Sequence, residues 1–417
     1  MVFGSSILSR RHEPAARGIP PHHLNNKNGG VPQIDINPRT PRRFHQNDNK
    51  PDFFSFMNHH IIFRDPGYFA AWPHNGGLWQ FSDGEVAVGF LRARCDYSPQ
   101  ATQHSVVDAG GEFVIFRSRD GGLTWPVESS ALIYKTEDFL ERLAEAPVGH
   151  LAEPGRSYNP LLDGYCLLAG SGIPSPEATH RSWTMVSQDR GQTWENPILL
   201  PRGLVSYDPF LFLSSRPNYV VRSDGLLLLF AFGSRGKNDE NLSHPVVYGS
   251  SDGGVSWGIL SEIPLVGPAI MGIMPHPIFQ EDGTLLVSVR RQYNGFTAYT
   301  EIYASEDGGL TWQFRSRVND WGAPATLVNL PDGRVLCVYG YRRHPYGVRA
   351  RLSADGGRSW QKEIVLRDDG GSWDLGYPRT LVRPDGTLLT VYYFNDAHDP
   401  VSQNGGVRYI AATTWKV

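Results

Sequence analysis

Residues 118–125 read Ser-Arg-Asp-Gly-Gly-Leu-Thr-Trp, and the same frame, Ser-x-Asp-x-Gly-x-Thr/Ser-Trp, returns at 187–194, 250–257, 305–312 and 353–360. Each part has a physical reason. The aspartate can accept hydrogen bonds from the backbone N–H groups of a tight turn, and the glycine tolerates positive φ. The tryptophan covers roughly 150–250 Å² of apolar surface, enough to anchor a hairpin that is marginal alone. Successive copies start 69, 63, 55 and 48 residues apart, which suits a four-stranded propeller blade with variable loops. In this reading the five aspartates are turn formers, not catalytic groups or metal ligands.

Outward from these frames, six glycine-led apolar runs rich in β-formers occupy 84–90, 164–169, 225–232, 283–289, 333–339 and 386–394. Five precede a copy of the frame; the sixth leads to a terminal strand at 408–415. The fold class expected is therefore all-β, a six-bladed β-propeller of four-stranded antiparallel blades. Its ring closes by combining N- and C-terminal strands in one blade, which leaves no long open edge. One stretch breaks the strand pattern. Residues 136–146 carry acids early and an apolar stripe of Phe139, Leu140 and Leu143, predicting a short packing helix that Thr136 caps.

Residues 1–50, rich in Pro, Arg, Asn and His, read as a flexible arm, and 51–417 as the single propeller. A net charge of -3 excludes a nucleic-acid partner. Cys95, Cys166 and Cys337 make no disulfide framework. There is no apolar run of membrane-spanning length and no secretory leader, so the default expectation is cytoplasmic, or secreted if the chain is trimmed. No spacing suggests zinc or calcium, and neither a phosphate loop nor a Ser-His-Asp order occurs, so no cofactor is expected. Nothing in the sequence sets the oligomeric state.

Propeller geometry gathers candidate residues just before each inner strand and just after the second strand. The first set holds Arg64 and Asp65, Glu153 or Asn159, Asp208, Met274 and His276, Ala323, and Tyr377. The second holds Arg92, Arg94 and Asp96, then Arg235, Arg290 with Arg291, and Arg342 with Arg343. Several arginines and a few carboxylates converging on one funnel suit an anionic sugar, because a guanidinium forks onto a carboxylate.

From about Asn58 to Val417 the chain resembles the sialidase (neuraminidase) superfamily, whose Asp box the repeated frame matches. The resemblance implies a glycan or oligosaccharide substrate and assigns roles. Phe63-Arg64-Asp65-Pro66 is similar to the early Phe/Tyr-Arg-Ile-Pro motif, with Asp for Ile. Arg94-Cys95-Asp96 stands where the proton-donating Asp follows an arginine. Arg290 matches the second carboxylate-binding arginine, and the third falls near Arg349, with Arg342 and Arg343 competing. Gly376-Tyr377-Pro378 occupies the place of the tyrosine nucleophile. Met274 departs from the pattern: it stands where a glutamate would polarise that tyrosine, leaving Glu153 or Asp208 as the remaining carboxylates for the task.

The stretch Trp72-Pro73-His74-Asn75-Gly76-Gly77-Leu78-Trp79 is unlike ordinary sialidases. With His104 it puts two imidazoles near blade one, and imidazole suits proton transfer near neutrality. Three functions follow: an exo-acting hydrolase that uses Asp96 and Tyr377 on a terminal acidic sugar, a lyase that uses His74 or His104 beside a uronate, and a carbohydrate-binding propeller without turnover.

Overall fold

The computed structural model describes residues 57–98, 111–149, 155–171, 182–202, 212–235, 243–269, 271–293, 298–401 and 405–417. The arm at 1–50, and with it Glu153, His104 and Asp208, lies outside the described residues. The rest forms the expected six-bladed ring. Blade one is built from Tyr68–Ala71, Val86–Arg94, Glu112–Ser118 and Ala131–Lys135, with Leu78–Gln80 added on Val86–Arg94. Blade two shows Cys166–Ser171, Ser182–Ser187 and Ile198–Leu199. Blade three holds Phe212–Val221, Leu227–Ser234, His244–Ser250 and Gly258–Glu262. Blade four holds Met271–Phe279, Leu285–Gln292, Ala298–Ser305 and Gln313–Arg317. Ala325–Asn329, Val335–Tyr341, Tyr346–Ser353 and Ile364–Gly370 make blade five.

Blade six closes the ring. Its first three strands, Gly376–Val382, Leu388–Phe394 and Tyr409–Trp415, come from the C-terminal part, and Met57–Phe63 completes it antiparallel to Tyr409–Trp415. The second strands are among the driest parts of the molecule. Every residue of Leu285–Gln292 and of Leu388–Phe394 is buried, because both faces of these strands are covered by neighbouring blades. That explains why they read as unbroken apolar runs rather than alternating ones.

The repeated frames form the same turn each time. In the first, Ser118 Oγ donates to Asp120 Oδ1 at 2.6 Å, Gly122 N donates to Ser118 Oγ at 2.8 Å and Thr124 N donates to Asp120 Oδ1 at 2.9 Å. Trp125 Nε1 then donates to Gly122 O at 3.1 Å, folding the ring back over the turn. The turn aspartates are thus consumed by their own backbone. The hydroxyl and N–H of Thr311 hold Asp307 at a pKa of about 2.

The helix runs over Thr136–Ala144, with Phe139 and Leu143 buried. Phe139 stacks on Tyr134 at 4.1 Å and meets Trp183 edge-on at 4.7 Å. Its capping differs from expectation: the N-cap residue is Lys135, and Thr136 is pulled away because its hydroxyl donates to Gly111 O at 2.7 Å.

A second, shorter helical turn, Pro73–Gly76, interrupts the inner strand of blade one between two segments that both pair with Val86–Arg94. Trp72 enters it at φ 63 and Gly77 leaves it at φ 84. The turn touches strands of blades two, three and six, so it plugs the middle of the ring. Gly76 is required there: a Cβ on it would lie 1.7 Å from Gly89 O.

Candidate active site

Three inner strands carry the same local device, a residue before proline at which the pairing register slips. The slips fall between Ser215 and Tyr219 around Arg216-Pro217, between Ile273 and His276 around Met274-Pro275, and between Gly376 and Arg379 around Tyr377-Pro378. Proline removes a ladder donor, so a bulge is where it fits. Met274 and Tyr377 are held at φ 52 and 50. A non-glycine residue in that region costs of order 1–3 kcal/mol and persists only where its surroundings dictate it.

Tyr377 is the focus. Arg290, on the second strand of blade four, donates from Nη1 to the Tyr377 hydroxyl at 3.4 Å and from Nη2 to Gln292 Oε1 at 2.9 Å. Arg342, just past the second strand of blade five, sets its guanidinium 5.1 Å from the Tyr377 ring centroid and 5.4 Å from that of Trp373. Its Nε donates to Ala323 O and its Nη2 to Leu375 O. Met274 packs with Phe232 and Ile273 against Tyr377, an apolar surface where an acid was the family expectation. No described carboxylate forms a hydrogen bond with the tyrosine hydroxyl.

Beneath this layer lies a second one, supplied by the residues two positions further along the same strands. Asn218 Nδ2 donates to Pro275 O at 2.7 Å and lies 3.3 Å from His74 Nε2. The His276 ring stands 6.3 Å from that of His74, and Arg379 donates to His74 O at 2.7 Å and to Pro217 O at 3.2 Å. With Asn218 Nδ2 as donor, His74 Nε2 accepts and the proton resides on the buried Nδ1, directed at the Pro378 backbone. His276 is the other tautomer: Leu327 N donates to its Nδ1 at 3.3 Å, so Nε2–H faces Thr326 Oγ1 at 3.1 Å.

Both imidazoles are neutral. Burial, then Arg379, holds the pKa of each well below the ordinary histidine value, with His276 and Arg216 adding to the effect on His74. Burial also pulls Arg379 down to about 9, which leaves it charged at neutral pH. Among the described residues Arg216, Arg290, Arg342 and Arg379 have no carboxylate in ion-pairing distance. By contrast, Arg408 pairs with Asp374 at 3.3 Å and Arg291 with Glu301 at 3.1 Å. The centre is a concentration of positive charge with no counter-ion among the described residues.

The other sequence candidates take different places. Arg64 pairs with Asp399 at 2.6 Å and stacks 4.8 Å from the Tyr409 ring centroid. Arg94 is exposed and lies over Tyr68 at 4.6 Å. Asp96 is exposed, and the Ser98 N–H at 3.0 Å lowers its pKa. Arg349 is buried away from Tyr377, donating to the Arg367, Val348 and Pro345 carbonyls and approaching Glu363 at 3.5 Å. The structure thus gathers His74, His276, Arg290 and Tyr377, and adds Arg342, Arg216, Asn218 and Arg379. The last three were missed. For Arg216 and Asn218 a signal existed, since Pro217, Pro275 and Pro378 each stand eight residues before the glycine of the next run, at Gly225, Gly283 and Gly386.

Residues 163–390, more than half of the chain, match the family described as BNR repeat-like domain. Over 211 residues the chain is 25% identical to a sialidase of Clostridium perfringens, a match spanning 49% of this chain and about half, 52%, of that curated relative. A crystal structure of a Dyadobacter fermentans protein of unknown function superposes with a TM-score of 0.67 at 24% identity, covering 87% of this chain and 99% of that one. The Hadza microbial sialidase Hz136 gives 0.56 at 16%, covering 86% and 68%. A Penicillium chrysogenum alpha-L-arabinanase complexed with arabinobiose gives 0.54 at 16%, covering 86% and 97%. At these identities the structural likeness is one of fold. Five Asp boxes, a six-bladed ring closed by its terminal strands, and the match over 163–390 agree that the chain belongs to the BNR repeat-like family of sialidase-superfamily propellers.

Proposed function

We propose that the protein is a glycoside hydrolase acting on a terminal acidic sugar, with Arg290 and Arg342 gripping the sugar carboxylate and Tyr377 as nucleophile. The observation that carries this reading is the contact of Arg290 with the Tyr377 hydroxyl, in a centre whose guanidiniums have no described counter-ion. Charges held out of water without partners are costly unless an anion completes them. A carboxylate placed between Arg290 and Arg342 would do so, beside the oxygen that reacts.

In the first step the Tyr377 oxygen bonds to the anomeric carbon as the bond to the leaving oxygen breaks, and that oxygen takes a proton from Asp96, the acid that the family resemblance implies, exposed just past the second strand of blade one. A water deprotonated by Asp96 then releases the sugar from the tyrosine. Asp96 is ionised when the site is free; the incoming carboxylate, a like charge, raises its affinity for the proton it must donate. The phenol proton goes to a carboxylate, for which the sequence offers Glu153 and Asp208, and returns to the tyrosine oxygen in the second step. Meanwhile Arg290 and Arg342 stabilise negative charge developing on the phenol oxygen.

A second reading is favoured by one feature, the apolar Met274 beside Tyr377 with neutral His74 on the other side. There, Tyr377 abstracts the proton beside a uronate carboxylate, with His74 held beside it by Asn218, and the glycan is cleaved by elimination. The deciding experiment is a product assay on terminal sialosides, uronosides and rhamnosyl-uronate oligomers, read by mass and ultraviolet absorbance. A product that gains the mass of water and is lost in Tyr377→Phe upholds hydrolysis. An unsaturated product replaces it with elimination, and binding without turnover replaces both with a lectin-like role.

A further inference from the structure

Arg216 has a setting unlike that of the other central guanidiniums. It sits at the blade-three bulge, where its Nη1 donates to Ser214 Oγ at 2.9 Å, to Ser171 Oγ at 3.5 Å and to Ser215 O. Ser171 ends a strand of blade two, Ser214 lies on the inner strand of blade three, and their hydroxyls are 2.9 Å apart across the seam. Ser214 is 1% exposed. The Arg216 Nε is buried with no hydrogen-bond partner, and its Nη2 bonds to no described residue. Ser182, paired in register with Ser171, also has a buried hydroxyl without a partner.

The guanidinium lies 5.9 Å from the ring centroid of Phe232, and that ring packs with Met274 and Tyr377. Arg216 therefore looks onto the same centre as Tyr377, from the side of the blade two and three seam. Among the described residues, a desolvated guanidinium with Nε and Nη2 unpaired, beside a bonded pair of hydroxyls that keeps one proton to donate, suits an oxyanion with several acceptor atoms.

We propose that Arg216, Ser171 and Ser214 form a second oxyanion subsite, which selects glycans carrying a sulfate ester, a phosphate ester or a second carboxylate beside the acidic sugar held at Tyr377. The inference rests on the reading of Arg290 and Arg342 as the clamp for the first carboxylate, and extends it to a doubly anionic substrate class.

The test is calorimetric titration of the full chain with four disaccharides: one bearing a single uronate, its sulfate ester, its phosphate ester, and the corresponding uronyl-uronate. At least one dianionic ligand should bind about ten- to a hundredfold more tightly than the monoanionic one, and the arm with the largest gain names the group. Arg216→Gln should bring that ratio close to one, and Arg216→Lys, which keeps the charge but not the fork, should leave it intermediate. Arg290→Gln should weaken every arm alike. The monoanionic ligand reports on folding of the Arg216 variants, and a thermal melt on that of Arg290→Gln. A wild-type ratio near one in every arm, or a ratio that survives Arg216→Gln, overturns the subsite. If no disaccharide binds, the clamp reading falls and inorganic sulfate decides the rest. Sulfate bound by wild type and Arg290→Gln but not by Arg216→Gln upholds the subsite; sulfate bound by none of them overturns it.

Discussion

Arg290, on blade four, reaches the Tyr377 hydroxyl of blade six at 3.4 Å, while its other terminal nitrogen is fixed on Gln292 at 2.9 Å. A guanidinium anchored on one side and offering its other N–H to a phenol is positioned before any substrate arrives. Replacing it by lysine keeps the charge and loses the fork. We expect Arg290→Lys to lower kcat/KM by about ten- to a hundredfold. Tyr377→Phe, which removes the reacting oxygen and leaves the ring packing, should lower kcat by at least about a thousandfold. Steady-state kinetics on the substrate identified by the product assay checks both. Equal activity of wild type and Tyr377→Phe would remove the tyrosine from the chemistry.

The pH dependence of stability follows from the buried imidazoles. His74 and His276 have folded pKa values well below that of the unfolded chain, near 6.5. Below that pH the unfolded state binds protons that the folded state refuses, so stability falls as the pH drops from about 6.5 toward the folded values. Each such group contributes a slope of up to about 1.4 kcal/mol per pH unit. His59 and His60 are shifted the same way, first by burial, and add to it. Thermal melts from pH 7.5 to 5 should show a falling Tm, and His276→Gln should flatten the slope by one group. An unchanged slope in that variant would mean that His276 is protonated in the folded protein.

The fold was legible because its signals are local. An Asp box is a closed set of hydrogen bonds within eight residues, and the second strands announce themselves through continuous burial. The site was legible only where the same locality held. Tyr377 and Met274 stand at X-Pro bulges followed eight residues later by glycine, and His74 stands in an unusual motif. Arg216 was passed over for Asp208 because both precede a proline and only the spacing to Gly225 separates them. Arg379 was not legible: its role depends on the carbonyls of His74 and Pro217, from two other blades. Arg349 shows the converse, a residue in the right stretch whose side chain is occupied by local carbonyls.

The plug at the centre of the ring depends on a close backbone approach that can be tested alone. A methyl group at Gly76 would lie 1.7 Å from Gly89 O, and neither backbone can retreat without moving the turn that carries His74. Gly76→Ala should cost about 3 kcal/mol, at or beyond the usual range for overpacking. Gly258→Ala, with open space around its Cβ, should stay within about 0.5 kcal/mol. Urea unfolding of the two variants checks the difference, and comparable midpoints would mean that the plug is compliant.

The Asp-box carboxylates provide the complementary case, groups with large electrostatic perturbation and no part in the chemistry. Asp355 accepts from Ser359 N and Arg358 N at 2.9 and 3.0 Å and from the hydroxyls of Ser353 and Ser359, and these bonds hold its pKa far below the usual carboxylate range. A perturbed acid often marks an active site; here the perturbing groups all belong to the turn itself. Asp355→Ala should therefore destabilise the chain by about 1–2 kcal/mol, as loss of a side-chain cap does, and leave kcat/KM within about twofold of wild type. The sign with pH is fixed. A carboxylate with a depressed folded pKa stabilises above its unfolded value near 4, and that contribution is lost as the pH falls through the folded value. The stability gap between wild type and Asp355→Ala should accordingly be constant from pH 7 to about 5 and shrink on stronger acidification. A gap that persisted undiminished in acid would show that the loss comes from packing of Trp360 rather than from the charged turn.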